Sequence, residues 1–332
     1  MTLAVNSRRA TITRLIICLV LLAGAGWLFI NRTYVVDQIA VWRYTPTLEI
    51  SQMASRSSMN DNGRFLFYAA TPTVQERSEF NQFCRKVVEK SAVLGCYSAG
   101  QIYVYNITDP RLDGIKDVTA AHEMLHAAYD RLSPNDKNNV DKMLETAAAQ
   151  VDSERLKRKL ALYDTTEPTQ RLNELHSMLG TEIKTLPADL ETYYARYFTN
   201  RLTLVSLSER YEQVFGELEQ QQKQLVSELN ALVDDINATS ASYTKQFAAL
   251  QESIQSFNTR AENGSYTSEN QFNAERNRLV AQQSNLAAFR EEIAQKVALY
   301  DTKKAELDNL NVTAQGLQNS IDSTALPEVP SL

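Results

Sequence analysis

Residues Thr119–Tyr129 read TAAHEMLHAAY and hold two of the chain's three histidines. Because His122 and His126 are four residues apart, a helix would place both imidazoles on one face. Glu123 is one residue further on and would point towards the neighbouring face. The residues around these three carry no charge. The stretch therefore predicts a buried helix that runs from Asp117 to about Leu132.

Two imidazoles on one helical face can bind one tetrahedral metal ion. A Zn²⁺ ion held by His122, His126 and a carboxylate keeps its fourth position for water and lowers the pKa of that water towards neutrality. Glu123 can then accept the proton as the hydroxide attacks a carbonyl group, and deliver it to the leaving amine. A structural zinc site usually has four protein ligands and needs no such acid. The pattern predicts a hydrolytic zinc site with Glu123 as its catalytic residue.

The run VTAAHEMLHAAY resembles the zincin metallopeptidases, whose signature surrounds HExxH with uncharged neighbours. The resemblance covers this helix and, less specifically, a hairpin that precedes it. It implies a mainly helical domain with a small sheet and a zinc-dependent peptidase activity. The metzincin branch would need a third histidine in a Gly-containing run, which AAYDRLSPNDK lacks. In the gluzincin branch a glutamate on a following helix is the third ligand, and RLNELHSMLGTE places Glu174 there with Ser177 three residues on.

The third ligand has two alternatives to Glu174. Glu182 lies just past the helix-ending Gly180, and His176 lies in the same helix. His176 is only two residues from Glu174 and so nearly on the opposite face, which means that both are not expected on one ion. His176 could instead donate to a substrate oxyanion. Three tyrosines could do the same, although aromatic residues at helical spacing are typical of a core: Tyr193, Tyr194 and Tyr197.

Bulk composition excludes some classes of protein. Of the 332 residues 43% are hydrophobic, which is enough for a core. The net charge is −6 and no dense basic run is present, so nucleic-acid binding is not expected. Gly and Pro number only 10 and 8, which favours long helices over a turn-rich β-sandwich.

The N-terminus predicts a membrane anchor. Ile12–Ile30 carries Arg14 as its only charge and is long enough to cross a bilayer core of about 30 Å. Three arginines precede its apolar part and one follows closely, which predicts a cytoplasmic N-terminus and an extracytoplasmic remainder. A cleaved signal peptide is the alternative, since Ala23-Gly24-Ala25 resembles a cleavage site. The apolar run continues past that site, which favours a retained anchor.

The extracytoplasmic location bears on the cysteines. Cys18 lies in the apolar run, so Cys84 and Cys96 are the only pair in the rest of the chain. An oxidising compartment favours a disulfide between them.

Several shorter elements precede the HExxH helix. Tyr34–Tyr44 predicts a short helical stalk that ends before Pro46. Residues 64–70 and 92–108 are rich in aromatic and β-branched residues and predict strands of a small antiparallel sheet, with a hairpin turn at Ala99-Gly100. An edge strand at Gln101–Ile107 would bind an extended peptide by strand addition.

From Leu202 onward the apolar residues recur mostly at steps of three, four or seven, the coiled-coil pattern. Asn263-Gly264 is a turn signal, and Ser268–Gln271 forms a capping box for a second helix. If the chain folds back at this turn, apolar residues of the two helices lie opposite one another in a constant register, as an antiparallel hairpin requires. The pairs are Phe257 with Phe272, Leu250 with Leu279, Tyr243 with Leu286, Ile236 with Ile293, Leu232 with Val297 and Leu229 with Tyr300.

The sequence thus predicts an α+β protein with four segments: an N-terminus and anchor over 1–31, a zincin-like domain over 32–201, an antiparallel coiled-coil hairpin over 202–322 and a tail over 323–332. The expected function is that of a membrane-anchored zinc metalloendopeptidase acting on extracytoplasmic proteins or peptides. The coiled coil would be available to a protein partner. The alternative is a non-enzymatic envelope scaffold, in which the coiled coil is the working part and the histidine pair is inert or binds a structural metal.

Overall fold

The computed structural model describes residues 2–84 and 93–324, with side chains from residue 16 onward. Residues 12–15 of the predicted anchor and most of the predicted tail fall outside the described side chains. The chain divides into two compact units, residues 1–214 with 317–332 and residues 215–316. It is mostly helical with one three-stranded sheet, in agreement with the predicted α+β class.

The elements of the described residues follow one another as helices interrupted by a small sheet. They are α1 (Thr2–Ile30), α2 (Arg32–Arg43), α3 (Leu48–Arg56), α4 (Asp61–Ala69), β1 (Thr73–Gln75), α5 (Arg77–Cys84), β2 (Gly95–Ser98), β3 (Gln101–Tyr105), α6 (Ile115–Asp130), α7 (Pro134–Gln150), α8 (Glu154–Thr166), α9 (Arg171–Thr181), α10 (Ala188–Tyr194), α11 (Arg201–Glu262) and α12 (Glu269–Ile321).

The sheet has the order β1-β3-β2. The predicted hairpin is present as β2 and β3, which are antiparallel and joined at Ala99-Gly100, where both residues have positive φ. The sheet is mixed rather than antiparallel, because β1 pairs with β3 in parallel. The prediction of an edge strand at Gln101–Ile107 was wrong: β3 is the central strand, and β2 is the edge strand that packs against α6.

The predicted strand at residues 64–70 was also wrong, because these residues lie in and just after α4. The side chain of Asn60 accepts a hydrogen bond from the Gly63 N–H and caps the helix. Leu66 and Phe67 are buried together with the alanines at 69 and 70, a grouping that a helix face accommodates and an alternating strand does not. Tertiary packing thus outweighs the strand propensity of the aromatic residues.

Helix α2 is the helix predicted at Tyr34–Tyr44, but it is packed on the first unit instead of forming a free stalk. The Tyr34 ring lies 5.8 Å from the Phe65 ring of α4, and Asp37 is buried. Between α6 and α11 the described chain forms four helices, α7 to α10.

The apolar side chains of α1 are exposed throughout the described part, from Ile16 to Ile30. Among the described side chains no single helix combines the length and apolar character needed to cross a membrane. The required length and apolar character are met only when residues Ile16–Ile30 are taken together with α2, and the axes of these two helices differ by 77°.

The first unit is organised around α6, which is buried along most of its length and packs on α3, α4, α9 and the sheet. Cys84 at the end of α5 and Cys96 on β2 form the predicted disulfide. The beginning of α11 belongs to this unit, where Leu204, Val205 and Leu207 are buried.

The second unit consists of the distal parts of α11 and α12, which lie side by side and run antiparallel. The rings of Phe257 and Phe272 are 5.0 Å apart, as the predicted register requires. Leu250, Leu279 and Leu286 form a buried cluster. The predicted turn is present, with Gly264 at φ +69°. A coiled coil in the strict sense stays a prediction.

Candidate metal centre

Helices α6 and α9 approach each other closely, and this contact assembles the site. The buried side of α6 includes several small residues, among them Ala121 and Ala128, beside larger ones such as Leu125. On α9, a Cβ placed on Gly180 would lie 2.4 Å from Cδ1 of Leu125, so only glycine permits this separation. The α9 side chains are therefore held firmly against the α6 helix.

His122 and His126 lie on one face of α6, as their spacing predicts, with ring centroids 4.8 Å apart. The carboxylate of Glu174 on α9 faces both rings. Its Oε2 lies 3.5 Å from Nε2 of His122 and 3.5 Å from Nε2 of His126. One ligand atom from each of the three residues lies within 4.8 Å of the others, so the group could hold a metal ion.

The two alternative ligands lie outside this group. The Glu182 carboxylate forms an ion pair with Arg155 at 2.7 Å. His176 is fully buried on the other side of α9, where its Nε2 lies 2.9 Å from the hydroxyl of Tyr193. Tyr194 donates to the His176 carbonyl. These tyrosines, with Tyr197, are core residues.

Asn173 supports His126 from behind, a contact that the sequence did not predict. Nδ1 of His126 lies 3.0 Å from Oδ1 of Asn173. Because an amide oxygen only accepts, we assign the proton to Nδ1, which leaves the Nε2 lone pair of a neutral imidazole free to face the metal position. The only sequence signal for this contact is the place of Asn173 next to Glu174.

Helix α8 contributes two further side chains that the sequence did not indicate. Nζ of Lys159 lies 3.3 Å from Oε1 of Glu174, and the Tyr163 hydroxyl donates to Oε2 at 3.2 Å. They are four residues apart and so share one face of α8. Because Glu174 is buried, these contacts compensate part of the cost of placing its charge away from water.

Neighbouring charges and hydrogen bonds keep the Glu174 carboxylate ionised in spite of its burial. Burial would raise the pKa of Glu174, but the charges of His122 and Lys159 and the hydrogen bonds from the histidines hold it well below its usual value. Burial would lower the pKa of His126, but its hydrogen bond to Glu174 and the charges of Glu123 and Glu174 raise it to about 9. In the metal-free protein at neutral pH, a buried carboxylate thus faces a protonated histidine.

Glu123 is buried beside the edge strand and is not a member of the metal-binding group. A Cβ placed on Gly95 of β2 would lie 2.9 Å from Oε1 of Glu123 and 2.5 Å from Cγ2 of Thr119. The glycine therefore gives the Glu123 carboxylate its space between α6 and β2.

The pairing of β2 with β3 fixes which backbone groups face outward. The Tyr105 N–H donates to the Leu94 carbonyl, and Cys96 lies opposite Tyr103. Since hydrogen-bonded positions alternate along an antiparallel strand, the N–H and C=O groups of Gly95 and Tyr97 point away from β3. Among the described strands these groups lie at the outer edge of the sheet, and the Glu123 carboxylate lies on the sheet face that packs against α6.

No family model, no curated protein and no solved structure matches this chain. The donor atoms of the site and their surroundings are therefore the basis for assigning its chemistry.

Proposed function

We propose that this chain is a membrane-anchored zinc metalloendopeptidase that hydrolyses peptide bonds of extracytoplasmic proteins or peptides. One observation supports this proposal most strongly. The Glu174 carboxylate lies close to both histidines of an HExxH helix, and Glu123 of the same motif is buried nearby, outside the group that could hold the metal. The zincin-like character of the domain belongs to this proposal, as does its gluzincin-like ligand set of His122, His126 and Glu174.

The donor set favours zinc. Two imidazole nitrogens and one carboxylate oxygen are the ligands of several hydrolytic zinc sites, which leave the fourth position open. The Asn173 contact turns Nε2 of His126 towards the metal position, and the contacts of Lys159 and Tyr163 keep Glu174 in place. When bound, zinc supplies Lewis acidity, which polarises a carbonyl group and acidifies a water molecule.

Glu123 has the role of general base and acid. Its carboxylate takes a proton from the attacking water as the new C–O bond forms, and passes that proton to the nitrogen of the breaking C–N bond. The products are a carboxylate and an amine. Because Glu123 lies one position after His122, it faces the reacting group without occupying a metal position.

The edge strand β2 suits an extended peptide. Gly95 and Tyr97 offer outward N–H and C=O groups, and a substrate segment that pairs with them continues the sheet. Gly95 lies against Glu123, so a peptide on this edge runs past the general base. This role replaces the one predicted for Gln101–Ile107.

The proposal also includes the membrane location of α1 and a role for the two long helices. The row of exposed apolar side chains on α1 is unusual for a surface helix in water and suits a lipid environment. The disulfide suits an oxidising compartment. We further propose that the antiparallel α11 and α12 pack as a coiled-coil hairpin that binds a protein partner.

The test compares metal content and peptide hydrolysis in the full chain and two variants. We expect one zinc per wild-type chain and cleavage of a fluorogenic peptide library. Glu123→Gln should keep its zinc while hydrolysis falls by roughly 10² to 10⁴, the range for a lost general base. His122→Ala should lose both zinc and activity.

Absence of bound zinc from the wild type would remove the enzyme proposal and favour the scaffold alternative. Zinc that binds without any cleavage, in the wild type as in Glu123→Gln, would favour a structural metal site. Full activity in Glu123→Gln would contradict the proposed role of this residue.

A further inference from the structure

Helix α2 has one face that belongs to the domain. Oδ1 and Oδ2 of Asp37 accept two hydrogen bonds from the Arg131 guanidinium, each 2.8 Å long. Tyr34 packs on Phe65, and the Tyr44 hydroxyl just after the helix donates to the Pro72 carbonyl at 2.6 Å. This face holds α2 rigidly on the first unit.

The opposite face of α2 is apolar in the middle and cationic at both ends. Arg32, Val36, Ile39 and Arg43 follow each other at steps of four, three and four, so they share one side of the helix, and all four are exposed. Trp42 borders this side and is 77% exposed, and Val36 is 63% exposed. Exposed tryptophan, branched aliphatic residues and flanking arginines together are typical of helices that lie in a membrane interface.

The connection to α1 places this face towards the lipid. A single residue, Asn31, separates the two helices, whose axes differ by 77°. The guanidinium of Arg32 lies 5.8 Å from the ring centroid of Phe29 on α1, so the exposed side of α2 starts on the side where α1 arrives. A helix almost perpendicular to a membrane-crossing α1 lies nearly in the membrane plane.

We propose that the exposed side of α2 lies on the bilayer surface. Val36, Ile39 and Trp42 enter the headgroup region, and Arg32 and Arg43 bind the phosphates of anionic lipids. The inference rests on the anchoring of α1 proposed above, and adds to it a second, surface-bound contact with a fixed orientation.

Arg131 connects α2 to the candidate site and so links their orientations. Besides Asp37 it donates to the Tyr97 hydroxyl on β2 at 3.1 Å and to the Ala127 carbonyl of α6 at 2.8 Å. One half-buried guanidinium therefore joins the surface-bound helix, the edge strand and the HExxH helix. The outer edge of β2 is thus held at a constant orientation to the membrane and accepts substrates that approach from one direction.

The test uses the chain's two tryptophans as depth probes. The full chain is placed in bilayers of equal parts phosphatidylcholine and phosphatidylglycerol, once as Trp27→Phe, which leaves Trp42, and once as Trp42→Phe, which leaves Trp27. Lipids with a quencher near the headgroup or near the chain end report depth, and acrylamide reports contact with water. We expect the Trp42 emission to be quenched mainly by the shallow lipid and shielded from acrylamide. Trp27 lies about 6 Å, one helical turn, further along α1, so its emission should be quenched by the deep lipid more strongly than that of Trp42.

A charge variant then tests the surface itself. In the Trp27→Phe background, Val36→Glu with Ile39→Glu should open Trp42 to acrylamide and abolish its shallow quenching. Val312→Glu, at a 68% exposed valine of the second unit, is the matched control and should change neither reading. Bound zinc in each variant reports that the domain is folded.

Each outcome separates the two proposals. Lipid quenching of Trp27 with Trp42 open to acrylamide keeps the anchor and overturns the surface contact. Trp42 that is shielded from acrylamide but quenched by neither lipid means that protein covers this face, and also overturns it. Absence of lipid quenching at Trp27 contradicts the anchor.

Discussion

At the scale of the residue, the three side chains that could hold a metal ion differ in how they are supported. Glu174 is buried and contacts both histidines, Lys159 and Tyr163. His126 is oriented by Asn173. A carboxylate with this many contacts is costly to neutralise, because its partners remain in place.

The first prediction concerns Glu174. Glu174→Gln removes the anionic ligand and its ion pair with Lys159, so zinc affinity should fall by more than the roughly 10- to 100-fold that loss of a supporting contact costs. Competition with a chromogenic chelator measures it. Glu182→Gln is the matched control and should retain zinc, since Glu182 pairs with Arg155. The reverse result would make Glu182 the ligand.

The second prediction is a pH dependence of metal binding. The pKa of His126 is raised to about 9 in the metal-free protein, so at pH 7 the residue carries a proton that zinc must displace. The apparent zinc affinity should therefore rise about tenfold per pH unit from pH 7 to 9 and level off above. Calorimetry in two buffers of different ionisation enthalpy should detect release of about one proton at pH 7. Binding without proton release would contradict this.

The residue spacing predicted the histidine pair of the site, but not which carboxylate accompanies it. Four-residue spacing on a helix has one geometric meaning, so the shared face of His122 and His126 follows from the sequence alone. The choice between Glu174 and Glu182 depends on how α9 packs on α6, and spacing does not encode that. Lys159 and Tyr163 come from a third helix, whose approach is a tertiary property.

At the scale of the element, the close packing of the edge strand β2 on the HExxH helix α6 depends on a single glycine. Gly95 admits the Glu123 carboxylate between β2 and α6. Local pattern predicted the β2–β3 hairpin well, because the turn residues and the alternation lie within a few positions. It failed at residues 64–70, where the Asn60 cap and burial on α6 decide for a helix.

The third prediction follows from Gly95. Gly95→Ala places a methyl group 2.5 Å from Thr119 and 2.9 Å from Glu123, so it should destabilise the fold by roughly 1–3 kcal/mol and reduce hydrolysis more than zinc binding. Thermal unfolding, zinc content and cleavage rate are the measurements. Thr119→Ser removes one of the two clashing groups and should restore part of the stability. Gly216→Ala, where a Cβ meets no atom within 4 Å, is the control.

At the scale of the whole molecule, all candidate site residues lie in the first unit. The second unit has its own contacts, among them the ion pairs Lys303–Glu228 and Lys296–Asp235. In the register of the Phe257–Phe272 pair, residue 214 falls opposite residue 315. The long helices were predictable because their heptad-like pattern is local and continuous, whereas the assignment of their proximal ends to the first unit depends on tertiary packing.

The fourth prediction is that the second unit can be removed without loss of the metal site. Replacing residues 215–316 by a short turn should leave zinc stoichiometry and cleavage of small peptides unchanged. The cut keeps the buried start of α11, which a truncation at residue 201 would remove. A folded variant without zinc would show that the hairpin takes part in the site.

The disulfide has a consequence for the cell that makes this protein. Cys96 lies on β2, one residue from Gly95, so the bond to Cys84 holds the strand on which we propose that substrates bind. In the export that we propose, the thiols are reduced beforehand and this strand lacks its covalent tie. The proposed peptidase would then complete its substrate-binding strand only by oxidation, and would do little harm to the cytoplasm in which it is synthesised.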